Sequence, residues 1–322
     1  MSTTSPASVA AISTVGLTKR FGTLTAVDDL TIDVARGEVF GFLGPNGAGK
    51  TTTVRLMLGL ARPTTGTVSL LGLDVVRDRE AALAQVAYVP GEFSAWPALR
   101  GREMLDLLGA LHGGANAARR AQLCERFDFD PSKRGREYSK GNRQKIALIA
   151  ALMVDVDVLV LDEPTSGLDP LMEMTFRQCI EEARGRGQTV FLSSHILSEV
   201  EAVCDRVGIL RRGRLVDVGT LDHLRALNSR EVRVVFAHPD DAVAAELDVV
   251  PGVTGVHIDG ATVHCRLHGE PSALVAALGG RPLVSLDIRE PSLEEMFLAF
   301  YGDDQDGDDK DGDDQDVSPE HT

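Results

Sequence analysis

"GPNGAGKTT", Gly44 to Thr52, matches the pattern G-x-x-x-x-G-K-[ST] and sits where a strand-like run, "GEVFGFLG", passes into a helical one. Glycines in this spacing let the backbone curl until successive N–H groups point at phosphate oxygens. On this reading Gly44, Pro45, Asn46, Gly47, Ala48 and Gly49 form the cradle and Lys50 reaches the β- and γ-phosphates. Thr51 offers its hydroxyl to Mg²⁺, with Thr52 beside it in the first helical turn. A helix starting near Gly49 adds its positive dipole end. The stretch is not a dinucleotide fingerprint, because it carries an inserted lysine and no matching acidic ribose residue is evident.

Such a loop says only that a nucleoside triphosphate binds. "VDVLVLDEP", Val156 to Pro164, supplies the other half. An apolar strand delivers Asp162 to the phosphate end of a sheet, where it can hold Mg²⁺ through water. Glu163 follows on the opposite face, placed to orient and polarise an attacking water. Two consecutive acids make a poor strand end without a cation to neutralise them.

Outward from these motifs, residues 12–43 alternate apolar and polar as strands do, and "VAYVP", "TVFLSSH" and "RVGILRRGRLVDVG" supply further strands. Helical periodicity covers 101–111, 139–154 and 170–186. The alternation predicts an α/β domain with a largely parallel sheet. The pattern changes near "HLRALNSREVR", which places a boundary around residue 228. Beyond it the order is β-α-β-β-α-β, with a hairpin expected around Asp259-Gly260, and this order fits a ferredoxin-like domain. A closing helix, "SLEEMFLAFYG", follows. The histidines of this part (His238, His257, His264, His268) alternate along strands without a metal-like cluster.

The chain resembles the nucleotide-binding subunits of ATP-binding-cassette (ABC) transporters. The resemblance is carried over residues 12–220 by "GPNGAGKTT", "LVLDEPTSGLDP", His195 in "VFLSSHILSEVE", and "YSKGNRQK", a variant of the LSGGQ signature. It implies a RecA-like P-loop NTPase core with an antiparallel β subdomain and an α-helical subdomain, followed by the small α+β domain. It also implies that Asp169 belongs to the D-loop and that His195 contacts the γ-phosphate. Phe21 of "LTKRFG" stands where an aromatic residue stacks on adenine, although a lone aromatic also reads as core. Ser139 and Gly141 would open a helix whose N-terminus meets the ATP of a second subunit, so that ATP closes a dimer, expected to be a homodimer. Here the second glycine of the signature is Lys140, and its glutamine is Asn142. The family's Q-loop glutamine slot falls on Gly91 in "YVPGEFSAWP". Glu92, next in line, either replaces it near the metal or caps the turn that follows.

Composition bounds the role. Of the formal charge of −15, the last twenty residues carry −9, and the remaining −6 is an ordinary mild acidity. The tail, with nine aspartates between Asp303 and Asp316, reads as disordered, and its Asp-Gly repeats miss the calcium-loop spacing. Residues 1–11 are likewise expected to be disordered, leaving an ATP-binding domain at 12–228 and an accessory domain at 229–302. Four scattered cysteines suggest neither a disulfide frame nor zinc, and no basic stripe suggests nucleic acid. No apolar run reaches eighteen residues, and the N-terminus lacks a secretory signal. The expectation is a cytoplasmic ATPase, peripheral on the cell membrane, whose partner is a separate permease. "EPSLEEMFLAFYG" resembles the end of the daunorubicin-resistance type of exporter subunit, which implies drug or related efflux. A soluble ABC ATPase of translation or repair is the alternative, and a non-hydrolysing regulator is disfavoured because Lys50, Asp162, Glu163 and His195 are all present.

Overall fold

In the computed structural model, residues 10–226, 230–238 and 242–289 are described. Residues 1–9 of the segment expected to be disordered (1–11), the closing helix and the acidic tail lie outside them. Ala11 is buried and bonded to the Val34 and Leu71 backbone, so the backbone bonds of the first sheet begin one residue earlier than expected. Contacts divide the chain into two units, the first ending at Leu221 and the second starting at Asp222. That division falls a few residues before the expected boundary, because the helix Leu221–Ala226 groups with the second unit from Asp222 onward.

Among the described residues the first unit holds ten strands: β1 (Ile12–Phe21), β2 (Leu24–Val34), β3 (Val39–Leu43), β4 (Thr65–Leu70), β5 (Leu73–Asp74), β6 (Val86–Val89), β7 (Val158–Asp162), β8 (Thr189–Ser194), β9 (Arg206–Arg211) and β10 (Arg214–Thr220). Its helices are α1 (Lys50–Met57), α2 (Arg79–Leu83), α3 (Gly101–Ala110), α4 (Ala117–Arg126), α5 (Lys140–Leu152), α6 (Pro170–Gly185) and α7 (Leu197–Val203), with α8 (Leu221–Ala226) at the division. Strands β2-β1-β4-β5 form one antiparallel sheet. The second sheet runs β10-β9-β3-β8-β7-β6, parallel from β9 to β6, with β10 turning back as an antiparallel edge.

Strands β3, β7 and β8 are buried at every residue, which is why their middles read as apolar runs rather than as alternation. The polar carboxyl ends of β7 and β8 are bonded to one another and to α7 through Asp162, Ser193 and Ser194. Phe191 of β8 stacks on Phe40 at 5.8 Å between centroids and tilts against Phe42 at 5.3 Å. Truncating a ring so enclosed costs about 3–5 kcal/mol. This rigid centre matters because the carboxyl ends of β3, β6, β7 and β8 all open on one edge, where α/β sheets bind ligands.

The second unit contains β11 (Arg230–Phe236), α9 (Ala242–Leu247), β12 (Val253–Asp259), β13 (Thr262–Leu267), α10 (Ser272–Leu278) and β14 (Leu283–Arg289). Its sheet order, β12-β13-β11-β14, is antiparallel throughout, the ferredoxin-like arrangement. Val234, Val263 and Leu267 pack with Val243 and Leu274 into its own core. The hairpin turn lies one residue later than expected. Asp259 pairs with Thr262, so Gly260 and Ala261 form the loop, and of the two only Gly260 takes a positive φ, at 59°. A left-handed glycine in the first position alone is the II′ pattern, which Asp259-Gly260 as a I′ turn does not describe. No helix among the described residues is long and apolar enough to cross a membrane.

Candidate active site

The Gly44–Gly49 loop joins β3 to α1 and is anchored at both ends. Gly44 N–H donates to the Ser194 carbonyl at 3.2 Å, and Thr53 N–H donates to the Gly49 carbonyl at 2.9 Å. Gly49 itself tolerates no side chain: φ is +109°, and a Cβ would lie 2.3 Å from the Ala26 carbonyl oxygen. Lys50 is buried, and its ammonium donates to the carbonyls of Gly44 at 2.5 Å and Pro45 at 3.1 Å. It also lies 3.1 Å from Glu163 Oε1.

Glu163 is the hinge of the site. It leaves β7 with φ at +49°, a left-handed conformation costly for a residue with a Cβ. Its N–H is held by the Ser193 carbonyl at 3.0 Å. The twist sends the carboxylate away from Asp162, so that Oε1 meets Lys50 and Oε2 lies 2.6 Å from His195 Nδ1. A carboxylate can only accept, so Nδ1 carries the hydrogen and Nε2 is the free edge of the ring. Asp162, 2% exposed, accepts from Ser193 Oγ at 2.5 Å and from Thr51 Oγ1 at 3.4 Å. Thr51 hydroxyl and one buried carboxylate are hard oxygen donors, the set that suits a magnesium ion shared with phosphates and water.

Two contiguous clefts open here, sharing Asn46, Thr51 and Glu163. One, of about 610 Å³, runs from the loop to Phe21. Phe21 is 53% exposed with Lys19 Nζ 4.8 Å from its ring centroid, so it is a surface platform and not core. The other, of about 530 Å³, is lined by Tyr88, Gly91, Glu92, Asp162 and His195 among others. Gly91 approaches Asp162 closely: a Cβ there would lie 3.3 Å from the Asp162 carbonyl oxygen and 3.8 Å from Oδ2. Glu92 is exposed at the cleft's rim. Burial first, and the Asp162 charge second, push the Tyr88 phenol up to about 12, so it stays a neutral donor beside that carboxylate.

Ser139, Gly141 and Asp169 line neither cleft. Ser139 caps α5, accepting from Asn142 N–H at 3.3 Å, and is exposed. Gly141 is pressed against the next loop, where a Cβ would sit 2.4 Å from the Gly167 carbonyl oxygen. Asp169 caps α6, accepting from Met172 N–H at 3.0 Å. None of the three therefore belongs to its own chain's clefts: Ser139 offers a hydroxyl, Gly141 backbone only, and Asp169 a carboxylate already engaged in capping.

Sequence reasoning missed Leu24, Thr25 and Ala26, at the start of β2, and Arg212 and Gly213, in the β9–β10 turn, which complete the first cleft. It also missed Arg55 and Ser166, which line the second cleft. Ser166 lies within "LVLDEPTSGLDP" but nothing in the spacing singles it out from its neighbours, and of the others only the β-hairpin turn at Arg212-Gly213 is visible as punctuation.

The family model described as "ABC transporter" matches residues 27–166. The chain is similar to the daunorubicin resistance ATP-binding protein DrrA3 of Streptomyces coeruleorubidus, at 37% identity, covering 92% of this chain and 97% of that one. It is 34% identical to the Nod factor export ATP-binding protein I of Burkholderia orbicola (strain AU 1054), covering 92% and 98%. The bacitracin transport ATP-binding protein BcrA of Bacillus licheniformis is 32% identical over 90% and 97% of the two chains. Among solved structures, an ATP binding subunit of an ABC transporter superposes with a TM-score of 0.63 at 30% identity, covering 67% of this chain and 92% of that one.

Proposed function

The chain belongs to the ATP-binding subunits of ABC transporters, and from that membership we propose that it is the ATP-hydrolysing motor of an exporter, driving a separate membrane permease. The observation that carries the reading is the unbroken run of contacts Lys50–Glu163–His195 beside the Thr51–Asp162 pair. In hydrolysis Lys50 binds the β- and γ-phosphates, and the backbone N–H groups from Asn46 to Gly49, with Thr52, hold them in line, while Gly44 and Pro45 shape the loop. Glu163 orients the attacking water and accepts its proton, while His195, tethered through Nδ1, directs Nε2 at the γ-phosphate. Bound Mg²⁺, held by Thr51 and through water by Asp162, would supply charge neutralisation on the phosphate oxygens. Phe21 stacks on the base. Glu92 takes the place of the missing glutamine at the rim of the metal side.

A second subunit completes the site. Ser139, Gly141 and Asp169, outside their own chain's clefts, serve the nucleotide of the opposing copy, and ATP closes the homodimer. The permease docks at the apolar groove beside Pro90, between the loop after β6, α3 and α5, which is lined by Phe93, Leu108, Leu111 and His112. Leu111 is 73% exposed, a large apolar side chain awaiting a partner's cover. The subunit then works at the cytosolic face of the membrane, with 12–228 as its ATP-binding domain and 229–302 as the accessory one. The cargo class is a drug, an antibiotic or a related export substrate, as the relatives' names suggest.

Co-expression of the tagged chain with the membrane protein encoded beside it tests this reading. Detergent-stable co-purification and ATP-dependent dimerisation on size exclusion are expected. A chain that stays monomeric with ATP and leaves every membrane fraction would overturn it in favour of a soluble ABC ATPase.

A further inference from the structure

Glu199, on α7, is 5% exposed, and among the described residues no lysine or arginine pairs with it. A carboxylate withdrawn from water is costly unless its oxygens are satisfied, and an apolar side chain of similar size would often be cheaper. Its two oxygens are satisfied by hydroxyls from two different loops. Thr165 Oγ1 donates to Oε1 in a short hydrogen bond, and Ser194 Oγ donates to Oε2 at 2.6 Å. Ser194 Oγ also accepts from Ile196 N–H at 2.9 Å.

The placement of those two hydroxyls is the point. Thr165 lies two residues after Glu163, in the loop leaving β7, and Ser194 lies one residue before His195, at the end of β8. Ser194 additionally accepts Gly44 N–H through its carbonyl, at the mouth of the phosphate loop. Glu163 and His195 meet at 2.6 Å across the gap between these loops, and Glu163 is held at φ +49°. That contact faces the cleft, where His195 is 43% exposed. The clamp behind it is buried, with Ser194 fully enclosed.

We propose that Glu199 is a positioning residue for hydrolysis: as a buried carboxylate clamp it fixes the separation of the β7 and β8 loops, and through them the Glu163–His195 pair. This rests on the reading of Glu163 and His195 as the hydrolytic pair. Its role is geometric, with no proton or bond exchanged. Because Glu199 touches neither cleft, its loss acts on the rate and not on nucleotide affinity.

The test measures steady-state phosphate release and the Kd of a fluorescent ATP analogue for Glu199→Ala, Glu199→Gln, and the pair Thr165→Val and Ser194→Ala. For a catalytic pair displaced by a fraction of an ångström, Glu199→Ala is expected to lower kcat by roughly 10–100-fold. The Kd should stay within about twofold, and Glu199→Gln, which keeps the size and one acceptor oxygen, should recover part of the rate. Thr165→Val with Ser194→Ala should reproduce the Glu199→Ala loss, and adding Glu199→Ala to that double variant should cost little more. If Glu199→Ala fails to fold, the Thr165/Ser194 variants decide. A kcat within twofold of wild type, or kcat and affinity falling together in all variants, overturns the proposal. Glu163→Gln run alongside separates the two readings, since a native rate there removes the hydrolytic pair itself, whereas an inactive Glu163→Gln beside a native Glu199→Ala removes only the clamp.

Discussion

The loops that leave β6 and β7 start from neighbouring parallel strands on the same edge of the sheet, yet they are built to opposite specifications. After β7, Glu163 N–H, the Asp162 carboxylate and the Thr165 hydroxyl are all bonded to β8 or α7, and Glu163 is held in a strained conformation. After β6, the first stretch of the loop is tied only by a long bond to the Pro90 carbonyl from Gln144 Nε2, at 3.4 Å. Firm backbone bonds begin only further on, where the Pro97 and Leu99 carbonyls accept from Arg136 and Gly135 N–H. Among the described residues Glu92 makes no ion pair, and Trp96 is 43% exposed with its edge against Phe93. The same Gln144 donates to the Pro164 carbonyl at 3.2 Å, so one buried amide spans both loops from α5. The contrast teaches a division of labour. Strain persists only where surrounding bonds over-determine it, which suits chemistry, and a sparsely bonded apolar loop suits a surface that must adapt to a partner.

The largest expected effect breaks the rigid side. Glu163→Gln should lower hydrolysis by ~10²–10⁴-fold, the range for a lost general base, and should trap a dimer on ATP. Phosphate release and size exclusion with ATP report both, and hydrolysis at the native rate would refute the assignment. On the adaptable side, Leu111→Asp should reduce capture of the permease by about tenfold or more, because it buries a charge in an apolar contact. Pull-down from detergent extracts measures this, and undiminished capture would move the docking site elsewhere.

A smaller effect sharpens the boundary between the loops. Glu92→Ala should raise the Mg²⁺ concentration needed for half-maximal hydrolysis by a few-fold, with Glu92→Gln between it and wild type. Magnesium titrations identical in all three proteins would leave Glu92 with a local role only. The smallest effect is alkaline. Tyr88 is raised from its ordinary value of 10.0 to about 12 in the fold, so its stabilising share is whole below pH 10 and is lost as pH rises towards 12. Tyr138 behaves the same way, its phenol also pushed up to about 12, chiefly by burial. Tyr88→Phe should therefore flatten part of the fall in melting temperature across that window. A variant as alkali-sensitive as wild type would show that Tyr88 is not the titrating group.

Much of the site was legible because its chemistry is local. Gly49 must be glycine, Lys50 and Thr51 follow it directly, and Asp162-Glu163 end an apolar strand, so each role sits within a few residues of its cause. The signature was legible as a helix start, which Ser139 caps as expected. Other parts were hidden because their partners are far along the chain. Gly141 reads as a signature glycine, but what excludes a Cβ is the Gly167 carbonyl. Glu199 reads as one more acid on an amphipathic helix, and its bond to Thr165, 34 residues away, has no sequence signal; Ser194 is only five residues away, but nothing in the stretch marks it as a partner. The II′ turn at Gly260-Ala261 was missed by one residue because register is decided by the pairing of whole strands.

The amino-acid sequence alone determined that a glycine-rich loop running into Lys50-Thr51 and a pair of acids, Asp162-Glu163, each stand at the end of a strand of an α/β sheet, since each depends on spacing along one segment of backbone. It also determined the β-α-β-β-α-β order of the accessory unit, since each element there carries its own periodicity. Only the tertiary structure decided that Glu163 turns to bridge Lys50 and His195, that Gly91 lies against Asp162, and that Glu199 clasps two loops from behind. Those facts depend on strands brought together from positions 30 to 150 residues apart, as with Thr165–Glu199 and Gly44–Ser194. Packing of the buried sheet, and no property of the separate stretches, sets those distances.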